Sequence, residues 1–261
     1  MLKRPTRCHG VSLIELLIGI AIGTIVVSGA FYVLADSARY GVVNLRSAEL
    51  SQNLRATMVV MVNDIRRAGY AAIIDPSEVP SNPFLSGSYD IQTGSADGED
   101  PDTCIVLTYN LDEDSPPQVD NFDASSGEKN EKFGFRLHQN AIETRTGVPD
   151  TDDAADCELG SWEDLTEEEI EITELTFSLT HTQVEILEDE INNTGSFSSE
   201  SDDLCSTGNP CLCIRYVEIA LTGQLKSASM QDIKQTVRNS VRVRNDKYLS
   251  AFDTTAPCRD P

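Results

Sequence analysis

The spacing of apolar positions changes character three times along the chain. From Val11 to Ala35 the residues are apolar with a single charge, Glu15. This pattern predicts a helix apolar on every face, ~37 Å long at ~1.5 Å per residue, enough to cross a hydrocarbon core of ~30 Å. From Asp36 onward, Leu50, Leu54, Met58, Met61, Ile65 and Ala68 recur at spacings of three and four, with Arg46, Glu49, Arg55, Asp64 and Arg66 between them. That predicts an amphipathic helix laying one face on a domain. No proline interrupts the run before Pro76, so one helix over 11–70 is expected. At ~1.5 Å per residue it would span ~90 Å. Gly69 is the expected stop, with Asp75-Pro76 beyond it.

Residues 75–102 are rich in Pro, Ser, Gly and Asp and read as a loop. The period then becomes two. Thr103–Tyr109 is a short β-branched apolar run, and Lys132–Leu137 alternates Phe133, Phe135 and Leu137 as a half-buried strand would. His138-Gln139-Asn140 should turn the chain into Ala141–Arg145 as a hairpin. Ile170–Leu179, Ile214–Leu221 and Gln235–Arg244 complete the predicted strands, with Thr173 interrupting the alternation of the first. The acidic stretches 110–131, 146–169 and 188–210 read as long loops. One early helix followed by strands at hairpin spacing predicts an α+β domain, with one antiparallel sheet packed on the amphipathic half of the helix.

Charge sharpens this picture. The formal net charge is -23, which disfavours nucleic-acid backbones as partners. Residues 71–214 hold 34 Asp/Glu against four Lys/Arg, whereas 215–261 hold five acids and eight bases. A solvated acidic face accounts for the imbalance; cation binding and steering of a basic partner are the alternatives. The acidic runs Asp97–Asp102, Asp112–Asp114 and Asp150–Asp156 offer oxygen ligands for calcium, but none has EF-hand spacing, and no cofactor is expected.

Of seven cysteines, Cys8 stands near the N-terminus. The other six are Cys104, Cys157, Cys205, Cys211, Cys213 and Cys258. No histidine accompanies them and zinc-type CxxC pairs are absent, so up to three disulfides are expected, with 15 possible pairings. In an extended segment Cys211 and Cys213 would sit ~6.5–7 Å apart, at the edge of disulfide geometry, and are not expected to pair with each other.

The N-terminal stretch carries the functional signal. Lys3, Arg4 and Arg7 precede Gly10; then come Val11, Ser12, two apolar residues, Glu15 and about twenty further apolar residues. A secretory signal peptide cut near Val33-Leu34-Ala35 would have a shorter apolar part, and a plain membrane anchor leaves Glu15 unexplained. The whole arrangement resembles the class III signal of type IV prepilins. That resemblance implies a leader over 1–10, cleavage between Gly10 and Val11 by prepilin peptidase, and N-methylation of Val11. It also implies pairing of Glu15 with the N-terminal amine of a neighbouring subunit, which gives the carboxylate its partner. Val11 replaces the Phe of many major pilins; aliphatic residues stand there in minor pilins and pseudopilins. Gly19 and Gly23 form a GxxxG pair, which permits close helix packing or reflects the ordinary use of small residues in membrane helices.

Three further segments narrow the resemblance. Asp64-Ile65-Arg66-Arg67-Ala68-Gly69-Tyr70, the strand-turn-strand Phe135–Arg145, and the Arg244-Asn245 ending of the last strand resemble minor pilins of the PilW type and J-type pseudopilins. Ala68 and Gly69 would bring the backbone close to the sheet, with Tyr70 packed over it. The pilin fold is then implied, with segments 11–35 in the membrane or filament core, 36–70 as the amphipathic continuation, and 71–261 as a periplasmic or extracellular β-rich domain. Implied partners are major and other minor pilins, prepilin peptidase, the pilus assembly machinery and the inner membrane.

No catalytic set accompanies this. His9, His138 and His181 are isolated, and GxSxG, HExxH and Walker motifs are absent. The expected role is structural: a minor pilin in a priming or tip complex of a type IV pilus. A J-type pseudopilin of a type II secretion system, and a tip-exposed adhesion module with ligand-binding loops, are the alternatives.

Overall fold

A computed structural model describes residues 11–71, 82–111, 130–148, 154–185, 205, 208, 210–226, 233–249 and 258. Residues 1–10, the expected leader with Gly10, lie outside them. The chain clusters into two units, Met1–Ala48 and Glu49–Pro261.

Helix α1 runs Leu13–Ile65. Its part in the first unit carries exposed apolar side chains on all sides, as an apolar span does before it meets lipid or other helices. Its polar side chains are satisfied by the helix itself: Thr24 Oγ1 donates to Ala21 O at 2.9 Å and Ser28 Oγ to Thr24 O at 2.7 Å. Such back-bonding removes hydroxyl donors that hydrocarbon would leave unmet.

In the second unit the three-four spacing does what it predicts. Leu50, Leu54, Met58, Met61, Ile65 and Ala68 are all buried, while Arg55, Val59, Val60 and Asn63 stay exposed. The buried face packs in one cluster with residues from two antiparallel sheets. The first has strand order β1 (Gln92–Gly94), β2 (Cys104–Thr108), β3 (Lys132–His138), β4 (Ala141–Gly147), β5 (Ser161–Asp164). The second has β6 (Ile170–Glu185), β7 (Cys211–Leu225) and β8 (Lys234–Arg242), with β9 (Lys247–Leu249) beside the start of β7. The strands thus divide between two sheets where one was expected. Gly223 of β7 accommodates the helix: a Cβ there would come within 3.0 Å of Leu54 Cδ2.

Local chemistry explains the joints. The β3–β4 turn places Gln139 and Asn140 at φ 49° and 66°, the left-handed pair that a two-residue hairpin requires. The register of β6 on β7 shifts between Ile172 and Glu174, so Thr173 is the extra residue of a β-bulge. Two short 3₁₀ turns, Pro83–Leu85 and Gly87–Tyr89, and β1 lie within the predicted loop 75–102; β5 lies within the predicted loop 146–169.

β3 differs from the half-buried strand its alternation suggested. Gly134 and Arg136, on the face opposite Phe135, are also buried. Trp162 of β5 covers that face, with the Arg136 guanidinium 4.4 Å from its ring and the Arg145 guanidinium 5.0 Å away. A Cβ on Gly134 would meet Trp162 Cη2 at 3.1 Å.

Candidate functional site

Two regions bear on function. The first is the start of α1. Ser12 precedes the helix, its carbonyl accepting from the amides of Glu15 and Leu16 at 3.1 Å each. Glu15 therefore stands in the first turn. A carboxylate there complements the partial positive charge of the helix start. Ser12-Leu13-Ile14-Glu15 also has the S-x-x-E spacing of a capping box, a signal in the sequence that the membrane-span reading passed over. Val11 and Glu15 are both exposed. Gly19 and Gly23 have nothing within 4 Å of an added Cβ, so a neighbouring helix has room to approach.

The second region is the end of α1. Beyond Ile65 the chain makes a turn through Arg66–Gly69, where Gly69 takes φ +73°. The carbonyls released at a helix end need donors, and each from Asp64 to Tyr70 has one. Arg67 N donates to Asp64 O at 2.9 Å, Ala68 N to Ile65 O at 3.2 Å, and Tyr70 N to Arg67 O at 2.9 Å. The remaining donors come from far away in sequence. Arg244 N reaches Arg66 O at 3.1 Å, and Asn110 N reaches Tyr70 O at 2.8 Å. Asn245 Nδ2 reaches both Arg67 O at 3.2 Å and Ala68 O at 3.1 Å, and Asn82 Nδ2 reaches Gly69 O at 3.1 Å. The Gly69 amide donates in turn to Thr108 O at 2.8 Å, fastening the helix end to β2.

Charged and aromatic groups surround this joint. Arg67 lies 5.9 Å from the Tyr109 ring centre, and Tyr109 stacks on Phe133 with ring centres 4.0 Å apart. Burial pushes the Asp64 carboxyl above its ordinary value, offset in part by the Arg67 charge and a hydrogen bond from Tyr109. Burial, reinforced by the Asp64 charge, pushes the Tyr109 hydroxyl up to about 12. Asp90 pairs with Arg215, and with Lys247 at 3.3 Å; Arg215 Nη2 donates to Asn245 O at 2.6 Å. A cleft of about 470 Å³ opens here, lined among others by Arg66, Arg67, Tyr70, Tyr109 and Arg244. Tyr70, expected to pack over the sheet, is 38 % exposed and lines this cleft beside Tyr109.

The six cysteines form three disulfides: Cys104–Cys157, Cys205–Cys211 and Cys213–Cys258. Cys211 and Cys213 face the same way on β7 and each takes a different partner. The first bridge is buttressed by arginine. Arg136 Nη1 donates to Cys157 O at 2.8 Å, and Arg145 donates to the carbonyls of Ala154, Asp156 and Leu159.

Of the acidic runs considered for calcium, Asp97–Asp102 is described. Its Asp97 amide donates to Glu158 Oε1 at 2.5 Å, and Glu99 Oε1 accepts from Gln139 N at 3.2 Å. Asp112–Asp114 and residues 150–153 lie outside the described residues. Among the described residues no group of three or more His, Cys, Asp or Glu is placed to hold a metal ion. His138 and His181 stand apart, on β3 and β6.

Comparison with known families finds two matches. The model of the prokaryotic N-terminal methylation motif matches residues 5–31, and that of prepilin peptidase-dependent protein B matches residues 43–243. No curated protein sequence and no solved structure matches the chain.

Proposed function

Since the chain belongs to the prepilin peptidase-dependent protein B family and bears the N-terminal methylation motif, we propose that it is a PilW-like minor pilin that helps prime or tip a type IV pilus. A pilin-like role in pilus or pseudopilus assembly, with an inner-membrane anchor and a globular domain, is common to the family match and the fold. One observation supports this reading: an exposed, predominantly apolar span whose single charge is Glu15 in the first helical turn.

On insertion scales a carboxylate at the bilayer centre costs ~2.5–3.5 kcal/mol, so an unpaired Glu15 disfavours burial in an apolar filament core. Cleavage after Gly10 creates an amine at Val11, and that amine on a neighbouring subunit neutralises the Glu15 carboxylate. Val11–Ala35 then packs by apolar contact, while the second unit makes the lateral contacts with other pilins. Its chemistry is structural, with prepilin peptidase acting on the chain as substrate.

The test is Gly10→Ala in cells carrying the native assembly system. The expected result is an unprocessed chain retained in the inner membrane and absent from sheared surface filaments. Mass spectrometry showing a chain that begins at methylated Val11 would defeat the proposal. For the wild-type chain, recovery in sheared surface pili supports the pilus reading, and restriction to a periplasmic pseudopilus supports the J-type pseudopilin instead.

A further inference from the structure

Sheet edges expose backbone groups with which another strand can pair, and proteins blunt them with short strands, charges or cover. Among the described residues, most edges follow this rule. β1 and β9 are three residues long and β5 is four. β8 sets Lys234, Arg238 and Arg242 in solvent.

β6 follows the rule along its first half. There the amides of Ile172 and Phe177 point away from β7 and donate to Asn140 O and Asp102 O, each at 2.8 Å. Pairing with β7 then continues without a bulge from Glu174 to Glu185. Residues two apart share an orientation, so Leu179, His181 and Gln183 aim their backbone groups outward as Phe177 does. These outward groups have no hydrogen-bond partner among the described residues. Gln183 Oε1 is likewise shielded from solvent without a partner. Residues 175–184 contain no charged residue, no proline and no glycine, and Thr180, His181 and Thr182 are exposed. Among the described residues, the outer half of β6 thus has none of the devices that protect the other edges.

We propose that Ser178–Val184 is a strand-addition surface, which takes an extended, uncharged, β-branched segment of a partner protein with basic residues at its ends. Main-chain bonds at Leu179, His181 and Gln183 supply the pairing. Charge selects the partner. The uncharged stretch runs between Glu174 and Glu185, and Glu218 stands exposed opposite Ser178 on β7, so lysines or arginines flanking the incoming strand are attracted to its ends. A second copy of the chain, also at -23, is repelled. The surface belongs to the sheet alone and stands whether the filament is a pilus or a pseudopilus.

The test uses the full chain in detergent and a labelled peptide of alternating Thr and Val with two lysines at each end. Its control is the same peptide N-methylated at alternate backbone nitrogens, which keeps the charge and removes the donors. The expected result is saturable binding to the wild-type chain, and at least about tenfold weaker binding of the N-methylated peptide. His181→Pro removes an outward N–H while leaving the ladder to β7 intact, since proline is tolerated on an edge; it should weaken binding to a similar degree. Hydrogen exchange should show the Leu179, His181 and Gln183 amides unprotected in the free chain and protected with the peptide. Equal binding of both peptides would reduce the contact to charge attraction and overturn the proposal. Protection of these amides in the free chain would overturn it as well, by showing the edge already paired.

Discussion

Asn245 stands 177 residues after Ala68 in sequence, and its side-chain amide donates to the Ala68 carbonyl at 3.1 Å. The same nitrogen is a second donor, beside Tyr70 N, to the Arg67 carbonyl at 3.2 Å, so one side chain serves two acceptors at the end of α1. Asn245→Ala takes the side-chain donor from the part-buried Ala68 carbonyl and leaves the exposed Arg67 carbonyl with Tyr70 N alone. The expected loss is about 1–3 kcal/mol, read as a lower denaturation midpoint with an unchanged slope in urea. A change below a few tenths of a kcal/mol would mean that water replaces the amide at no cost.

Gly69→Ala attacks the same joint from the backbone. The position has φ +73°, and an added Cβ would stand 2.1 Å from Leu85 Cδ2. Left-handed strain costs about 1 kcal/mol or more, and moving Leu85 adds to it. The variant should melt below wild type, and Leu85→Ala in the same chain should recover part of the loss.

The pH dependence has a definite sign. The folded chain holds the Tyr109 proton to about 12, against 10.0 for the free group. The stability this contributes is fully present below the lower value and is lost as pH rises through the upper one. It amounts to about 2–3 kcal/mol. Asp64 acts in the same direction in acid: its raised value means that stability falls as pH rises from 3.8 through the folded-state value. Melting temperatures between pH 9 and 12 should fall more steeply for wild type than for Tyr109→Phe. Parallel slopes would remove Tyr109 as the cause.

The disulfides should contribute unequally. Cys205–Cys211 closes a separation of six residues, against 53 for Cys104–Cys157 and 45 for Cys213–Cys258. On the chain-entropy account the short bridge contributes ~2.4 kcal/mol and each long one ~4 kcal/mol. Paired Cys→Ser variants, compared by denaturant unfolding, should rank in that order. Equal losses would point to packing around the sulfurs rather than to loop closure.

Glu15→Gln and Glu15→Ala separate two roles of one residue. Gln keeps the capping-box spacing with Ser12 but has no charge; Ala has neither. Both variants should be cleaved after Gly10, and both should enter filaments poorly. Normal incorporation of the Gln variant would assign Glu15 to the helix start rather than to a neighbour's amine.

The legible parts of this chain are those with short-range causes. The helix face from Leu50 to Ala68 follows from a three-four spacing that any fold must bury. The β3–β4 hairpin follows from Gln139 and Asn140 between two alternating runs. β1, β5 and β9 were missed because three or four residues cannot display a period. β3 misled because alternation reports one buried face, and the second is made by Trp162 together with a segment held to β2 by Cys104–Cys157.

The sequence by itself determined the apolar span, the lone carboxylate five residues beyond Gly10, the amphipathic continuation and the strand-rich acidic domain, because periodicity and charge act locally. It also singled out Asp64–Tyr70 and Arg244-Asn245 as two separate segments. Tertiary structure alone decided that these segments meet, with the amides of one closing the carbonyls of the other. It likewise chose one cysteine pairing among 15 and, among the described residues, left one half of β6 without a strand beside it. Each of these depends on which distant residues arrive at the same place, and a period of two or 3.6 holds no information about that.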